Sequence, residues 1–339
     1  MNIIIENNLQ EDQWRDYVNN HPHGNIFHTP EMFQVFTHVK GYKPEIWAGL
    51  NKHKQILSLF LPVHITLYDG LLSRLTTRTT VFGGILVNPD PEGKDALVTL
   101  LKAYQEHSGK KSLFTEIRNM SPFDGYQLLI QDMKFAYEEQ LNYIIDLTPS
   151  PEEVFNRIGK RTRKNIRNGR NKGLVTIKTI SDHADVLESY ELLVKSYHNA
   201  RVPLSDFSLF TAAFDHLSPK GMLKIRTAMV KDHPAATSIE LFYKTMIFGW
   251  YGGLDRAYST YNPNDLLMAY VLESGSADGY RMYDFGGAGK SDEYYGVRDY
   301  KAKFGGNLVN YGRNTWIPHP GLFSFCNFSY EMVRKVTFA

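Results

Sequence analysis

The sequence has one cysteine, Cys326, among its 339 residues, so no intramolecular disulfide can form and the chain suits a reducing compartment. No apolar run approaches the roughly 18 residues of a membrane span. The opening stretch, MNIIIENNLQEDQW, is too short and too acidic for a secretory signal. These absences lead to the expectation of a cytoplasmic protein with no stable membrane insertion. Net charge is only +2, so any attraction for a polyanion has to come from local clustering. The 12 histidines form no ligand-spaced cluster with carboxylates, and no metal is expected. There is no G-x-S-x-G nucleophile elbow and no long heptad segment.

What is present is the composition of an ordinary globular protein of about two domains, with 42% hydrophobic and 22% charged residues. Strand and helix patterns alternate. In His28 to Val39, Thr29 is placed to cap a helix with Pro30 at its first position. Pro44 to Leu50 and Gln55 to Ile65 read as a β-hairpin, followed by a strand at Thr80 to Val87, a helix at Asp95 to His107 and a strand at Ser112 to Ile117. The second half repeats the plan, with a hairpin formed by Met222 to Val230 and Ala235 to Tyr243 and a third strand from Thr245 to Tyr251. Aligning WAGLNKHKQILSLFL with TAMVKDHPAATSIEL matches Ala48 with Ala228, His53 with His233, Ser58 with Ser238 and Leu61 with Leu241. The expected fold class is therefore α/β (α+β), with two similar units, each a mainly antiparallel mixed sheet flanked by helices. The expected domains are residues 1–150 and 151–314.

From Val154 to Ser181 there is no acidic residue, whereas Arg157, Lys160, Arg161, Arg163, Lys164, Arg167, Arg170 and Lys172 are all cationic. A basic helix from Glu152 to Asn171 is expected. One reading is a solvated face; the other, preferred here, is a phosphate-facing surface for tRNA or a nucleotide-linked substrate, carried by Arg161, Arg163, Lys164 and Arg167.

The densest chemistry lies in Arg281 to Gly306, RMYDFGGAGKSDEYYGVRDYKAKFGG. A strand pattern, Met282 to Phe285, runs into Gly286-Gly287-Ala288-Gly289 and then a segment of tyrosines and cations. Glycines at a strand end point to a bend or a close approach. A P-loop is excluded, because that motif needs glycine where Asp284 stands.

The residues from Leu141 to Lys178, with the R-T-R-K-N-I-R run and then G-L-V-T-I, resemble the second-domain entry of the Fem family of aminoacyltransferases (FemABX). Asn262-Pro263, then Tyr283-Asp284-Phe285-Gly286-Gly287 and Tyr300-Lys301-x-x-Phe304, resemble its C-terminal signature, Y-D-F/L-G-G followed by F/Y-K-x-x-F. The resemblance covers nearly the whole chain. It implies two tandem GNAT-type domains and transfer of an aminoacyl group from aminoacyl-tRNA to an amine of a peptidoglycan precursor. No cofactor beyond the donor is implied, and the tail, residues 315–339, is expected to pack on the first domain. The chain departs from the pattern at the acceptor positions. Relatives with a nucleotide-linked acceptor carry R-P-x-x-Y-F, whereas this chain has Arg201-Val202-Pro203-Leu204-Ser205-Asp206-Phe207, and Met32 to Phe36 offers no phosphate-binding lysine.

Aminolysis of an ester needs a neutral amine, stabilisation of the carbonyl oxygen and a proton for the leaving oxygen. Lys301, matching the signature lysine, is the candidate for oxyanion or leaving-group stabilisation. Asp284 is either a catalytic group at the strand end or a cap for the glycine loop, Gly286 and Gly287, past which substrate is expected to run. Arg298 and Tyr300 either position an acceptor carboxylate or pack together. Trp250 and Tyr251 either line the acceptor groove, with Arg201, or belong to the core. No R/Q-x-x-G-x-G/A pyrophosphate loop follows the central strand, which weakens an acyl-CoA donor. That donor, and a non-catalytic binding module, remain the alternatives.

Overall fold

The computed structural model describes residues 3–66, 70, 73–109, 111–293 and 295–326. The chain divides into two compact units, one made of Met1–Glu139 with Tyr311–Ala339 and the other of Gln140–Asn310.

The first unit runs through β1 (Ile4–Glu6), α1 (Glu11–Asn20), a 3-10 turn (Ile26–His28), α2 (Pro30–Thr37), β2 (Tyr42–Pro44), β3 (Trp47–Leu50), β4 (Ile56–Phe60) and β5 (Pro62–Thr66). It continues with α3 (Ser73–Thr76), β6 (Thr77–Gly83), β7 (Leu86–Val87), α4 (Pro91–Ser108), β8 (Thr115–Asn119), α5 (Asp124–Asp132) and β9 (Ala136–Glu138). Thr29 caps α2 as its sequence position predicts, accepting from the Met32 N–H. The strands form two sheets, β1-β3-β4-β7 and β2-β5-β6-β8-β17-β9, where β17 is the returning strand Arg313–Trp316. This unit's sheet is therefore split where a single one was expected. Trp316 joins Trp47, Leu97, Tyr104, Ile117 and Phe135 in the core, and Phe323 meets Phe114 edge to face. The returning chain thus packs on this unit as far as it is described; residues 327–339 lie outside the described residues.

The second unit comprises β10 (Leu141–Asp146), α6 (Pro151–Arg157), α7 (Lys160–Lys172), β11 (Val175–Thr179), α8 (His183–Ala200) and α9 (Phe207–Leu217). Then follow β12 (Leu223–Val230), β13 (His233–Tyr243), β14 (Met246–Leu254), α10 (Pro263–Ala277), β15 (Met282–Gly287), α11 (Gly296–Ala302) and β16 (Asn307–Asn310). They build one sheet, β11-β12-β13-β14-β15-β10-β16. The unit boundary falls before Gln140 rather than after residue 150, because the apolar strand β10 is hydrogen-bonded on both sides, by β15 and by β16.

Both units share one plan. Each contains antiparallel strands and a single parallel pair, β6 with β8 and β14 with β15. Parallel neighbours cannot be joined by a tight turn, so a helix crosses between them, α4 in one unit and α10 in the other. The two units are GNAT-like α/β modules in tandem. The residue alignment of the two hairpins does not carry over to their pairing. Ala48 pairs with Leu59, whereas Ala228 pairs with Ala236, because the second hairpin closes through a shorter turn.

The expected single basic helix is two helices. Ile158 is extended and the Gly159 N–H donates to the Lys303 carbonyl, a contact that ends α6 and starts α7 at a new angle. Nor are all its cations unopposed. Arg157 pairs with Asp146 at 3.1 Å, and Arg170 forks onto Glu273, with one arm at 3.2 Å.

In the second core, Phe155, Ile166, Phe242, Leu272, Tyr283 and Phe304 pack together, and α10 buries residues on nearly every side. Phe304, from the signature segment, is fully buried. Truncation to alanine removes a whole ring from a site that cannot collapse freely. Phe304→Ala should therefore cost about 3–5 kcal/mol in urea-unfolding experiments, with the m-value unchanged.

Candidate active site

Strand β15 delivers Tyr283 to the core and, by alternation, Asp284 to the opposite face. Its pairing with β14 covers only Met246 to Phe248 against Met282 to Asp284. Beyond Phe248 the two strands part, so from Gly249 to Leu254 one edge of β14 has no strand beside it among the described residues. An unpaired edge presents backbone donors and acceptors to whatever lies in the gap. At the point of divergence β14 carries a bulge. Ile239 pairs with Tyr251 and Glu240 with Gly249, leaving Trp250 as the extra residue. Bulges bend a strand and re-aim its side chains.

The opposite wall of the gap is the loop after β15. Gly286 takes φ +68, which a side chain would strain, and its bend turns successive carbonyls inward. Lys301 of α11 reaches these carbonyls. Its Nζ donates to Phe285 O at 2.6 Å, Gly286 O at 3.2 Å and Gly287 O at 2.7 Å. An ammonium has three donors, and all three are engaged. The side chain is only 8% exposed. Burial pushes its pKa down to about 8, against the opposing pull of Asp284.

Asp284 is 1% exposed. Its Oδ1 accepts from the Gly286 N–H at 2.7 Å, and both carboxylate oxygens lie 3.2 Å from Asn142 Nδ2 on β10. Burial raises its pKa to about 6, although these hydrogen bonds and the Lys301 charge favour the ionised form. The two readings of this residue therefore coincide in one place, since it caps the glycine bend and is also a perturbed carboxylate beside a buried cation.

Arg298 binds the loop backbone. Its Nε donates to Ala288 O at 2.8 Å and its Nη2 to Lys290 O, so α11 clasps the loop twice. Tyr300 turns inward as well. Its ring packs on Phe304 and its hydroxyl donates to Asn264 O at 3.4 Å.

Trp250 and Tyr251 belong to an aromatic cluster beside the open edge of β14. Tyr251 packs against Phe210, Tyr197 and Trp250, and its hydroxyl lies 2.9 Å from Ser205 Oγ. Both are half-buried, so they are neither core nor free surface. Tyr197, from α8, has its pKa pushed up to about 12 by burial, with the nearby Tyr295 a lesser cause. Arg201 is at the exposed end of α8 in a left-handed conformation, at the head of the loop that reaches Ser205.

Of the four phosphate candidates, Arg161, Lys164 and Arg167 are exposed. Arg163 donates to Asn156 Oδ1 at 3.1 Å, and Arg167 lies 5.4 Å from the Phe155 ring. Four residues of the site were not singled out from the sequence, namely Asn142, Tyr197, Gly249 and Tyr295. Asn142 alone carried a signal, as the polar residue inside the apolar LNYIIDL strand.

Comparison with known proteins agrees with this architecture. Residues 157–302 match the acetyltransferase (GNAT) domain family. The structure of FemX superposes with a TM-score of 0.72 at 16% identity, covering 96% of this chain and 99% of that one. L-PGS from Bacillus licheniformis gives 0.58 at 12% identity, covering 91% and 92%. A tandem GNAT protein from the clavulanic acid biosynthesis pathway gives 0.59 at 11%, covering 94% and 99%. At these identities the likeness is one of fold, and it extends over both units. No curated protein matches the sequence.

The start of the open edge is set by a close fit. A Cβ on Gly249 would stand 2.5 Å from the Tyr283 hydroxyl oxygen. Gly249→Ala should destabilise by about 1–3 kcal/mol through overpacking, and adding Tyr283→Phe, which removes that oxygen, should recover part of the loss in thermal unfolding.

Proposed function

We propose that this tandem GNAT-fold acyltransferase moves an aminoacyl group from aminoacyl-tRNA to an amine of a peptidoglycan precursor. The observation that carries the reading is the buried Asp284–Lys301 arrangement at the end of β15, where the parallel pairing with β14 stops. The Y-D-F-G-G and Y-K-x-x-F segments and the fold likeness to FemX support the donor and acceptor classes.

In the proposed step the acceptor amine attacks the ester carbonyl, the new C–N bond forms, and the C–O bond to the ribose hydroxyl breaks. The donor acyl group lies along the β14 edge, where backbone N–H groups meet the carbonyl oxygen as it gains charge. Asp284, ionised above about pH 6, takes the proton that the amine loses. Lys301 is a fixed positive charge beside that carboxylate and holds the loop through three carbonyls. Donation of its proton to the leaving oxygen requires one of those carbonyl bonds to be exchanged. Trp250, Tyr251 and Tyr197 line the groove for the transferred side chain or the acceptor, with Arg201 at its mouth. The exposed cations of α7, Arg161 and Lys164 foremost, meet tRNA phosphates.

A bell-shaped pH dependence of kcat/KM follows, with the acid limb near the Asp284 value of about 6 and the alkaline limb near the Lys301 value of about 8. Asp284→Asn should abolish the acid limb along with most of the rate. The same carboxylate has a folded-state pKa above its unfolded one, so its ionisation lowers folding stability as pH rises through about 6.

The test of the whole reading is a donor screen with mass detection of a modified muropeptide precursor. Charged tRNA should support transfer and acyl-CoA should not. Lys301→Met should lower the rate by about 100-fold or more with the protein still folded. Undiminished turnover by that variant would remove Lys301 from the mechanism. Transfer from acyl-CoA alone would replace the donor, and no transfer from either would favour a binding module.

A further inference from the structure

The first unit has its own concentration of charge. On the sheet β2-β5-β6-β8-β17-β9, Arg78 and Phe82 of β6, Glu116 and Arg118 of β8 and Arg313 of β17 share one face, as their register and alternation require. Glu116 is the acid that contacts two of these arginines. Its Oε1 accepts from Arg118 Nε, and its Oε2 lies 3.3 Å from Arg313 Nη1. Glu138 of β9, exposed, is opposite Arg313 and completes the set at three cations to two acids.

Both guanidinium groups beside Glu116 are held in place. Arg118 lies 5.6 Å from the Phe82 ring, which is itself stacked on Phe27 and Phe36. Arg313 is partly buried, and burial together with Arg118 weakens its hold on its proton, against the pull of Glu116. A guanidinium has five N–H donors. Glu116 engages one from each arginine, and no other acceptor among the described residues takes a hydrogen bond from Arg78, Arg118 or Arg313. Arg78 is exposed, and the remaining donors of Arg118 and Arg313 are not sealed beneath other atoms. Like charges kept adjacent, pre-oriented and with donors to spare are costly for folding alone, and an oxyanion would relieve the repulsion.

We propose that Arg118 and Arg313, with Arg78 further along the sheet, form a binding site for a phosphate or diphosphate group of a ligand. Planar forks side by side suit the several oxygens of a phosphate better than a single carboxylate. The site does not depend on the transfer reaction proposed above.

Isothermal titration of the full chain with pyrophosphate, inorganic phosphate and acetate, at matched low ionic strength, tests this. Pyrophosphate should bind most tightly and acetate most weakly. Arg118→Gln should weaken pyrophosphate binding by tenfold or more, and Arg118→Lys, which keeps the charge and loses the fork, should recover only part. Arg78→Gln, which breaks no ion pair with Glu116, is the variant that tests the site even if Arg118→Gln misfolds, and it should weaken binding several-fold. A Lys102→Gln variant, which removes an exposed cation of α4 that has no part in the site, should bind as the wild type does. Absence of binding, acetate binding as tight as pyrophosphate, or undiminished binding in both Arg118→Gln and Arg78→Gln would overturn the proposal.

Discussion

A buried ammonium organises the second unit's reactive end. Lys301 sits under three consecutive carbonyls of the β15 loop, with the Asp284 carboxylate close enough to act on its charge. Removing a charge from water costs several kcal/mol unless it is paired and hydrogen-bonded, and here every ammonium proton has an acceptor. The arrangement requires the bend at Gly286 to turn the carbonyls inward, Asn142 to hold the carboxylate, and α11 to approach the strand end. Arg298 ties the same loop a second time. The signature glycines, aspartate, lysine and phenylalanine are thus parts of one construction, in which Phe304 anchors the helix and Lys301 anchors the loop.

The opposing wall owes its form to a backbone irregularity. Because β14 bulges at Trp250 while β15 ends in the glycine turn, the parallel pair closes at its base and opens at its tip. An open edge in a sheet is a liability unless something occupies it. The first unit has the same parallel pair, but its chain leaves β6 at Gly83 for another sheet, and Asn25 and His28 donate to or contact the Gly83 and Gly84 carbonyls. One plan therefore yields an accessible edge in one unit and an occupied strand end in the other.

The sequence made the repeated α/β plan, the capped helices and the glycine-rich strand end legible, because each rests on local patterns of period and turn chemistry. It hid what depends on contacts made elsewhere. The basic run reads as one helix, yet the Gly159 N–H goes to Lys303, far along the chain, and the helix breaks there. The hairpin alignment counts identities but cannot count turn residues, so its pairing is displaced. Lys301 stands two residues from the exposed Lys303, and nothing local says that one points inward. Arg298 and Tyr300, read as ligand contacts or a packed pair, instead bind backbone carbonyls at separate places.

In the proposed mechanism the acyl group of the donor lies between the β14 edge and the Asp284–Lys301 loop. This placement is tested most directly by a crystal structure with an aminoacyl-adenosine analogue in which an amide replaces the labile ester. The analogue's carbonyl oxygen should lie within hydrogen-bond distance of a backbone N–H between Gly249 and Leu254, with its carbonyl carbon facing Asp284. An analogue bound elsewhere, with this edge left empty, would contradict it.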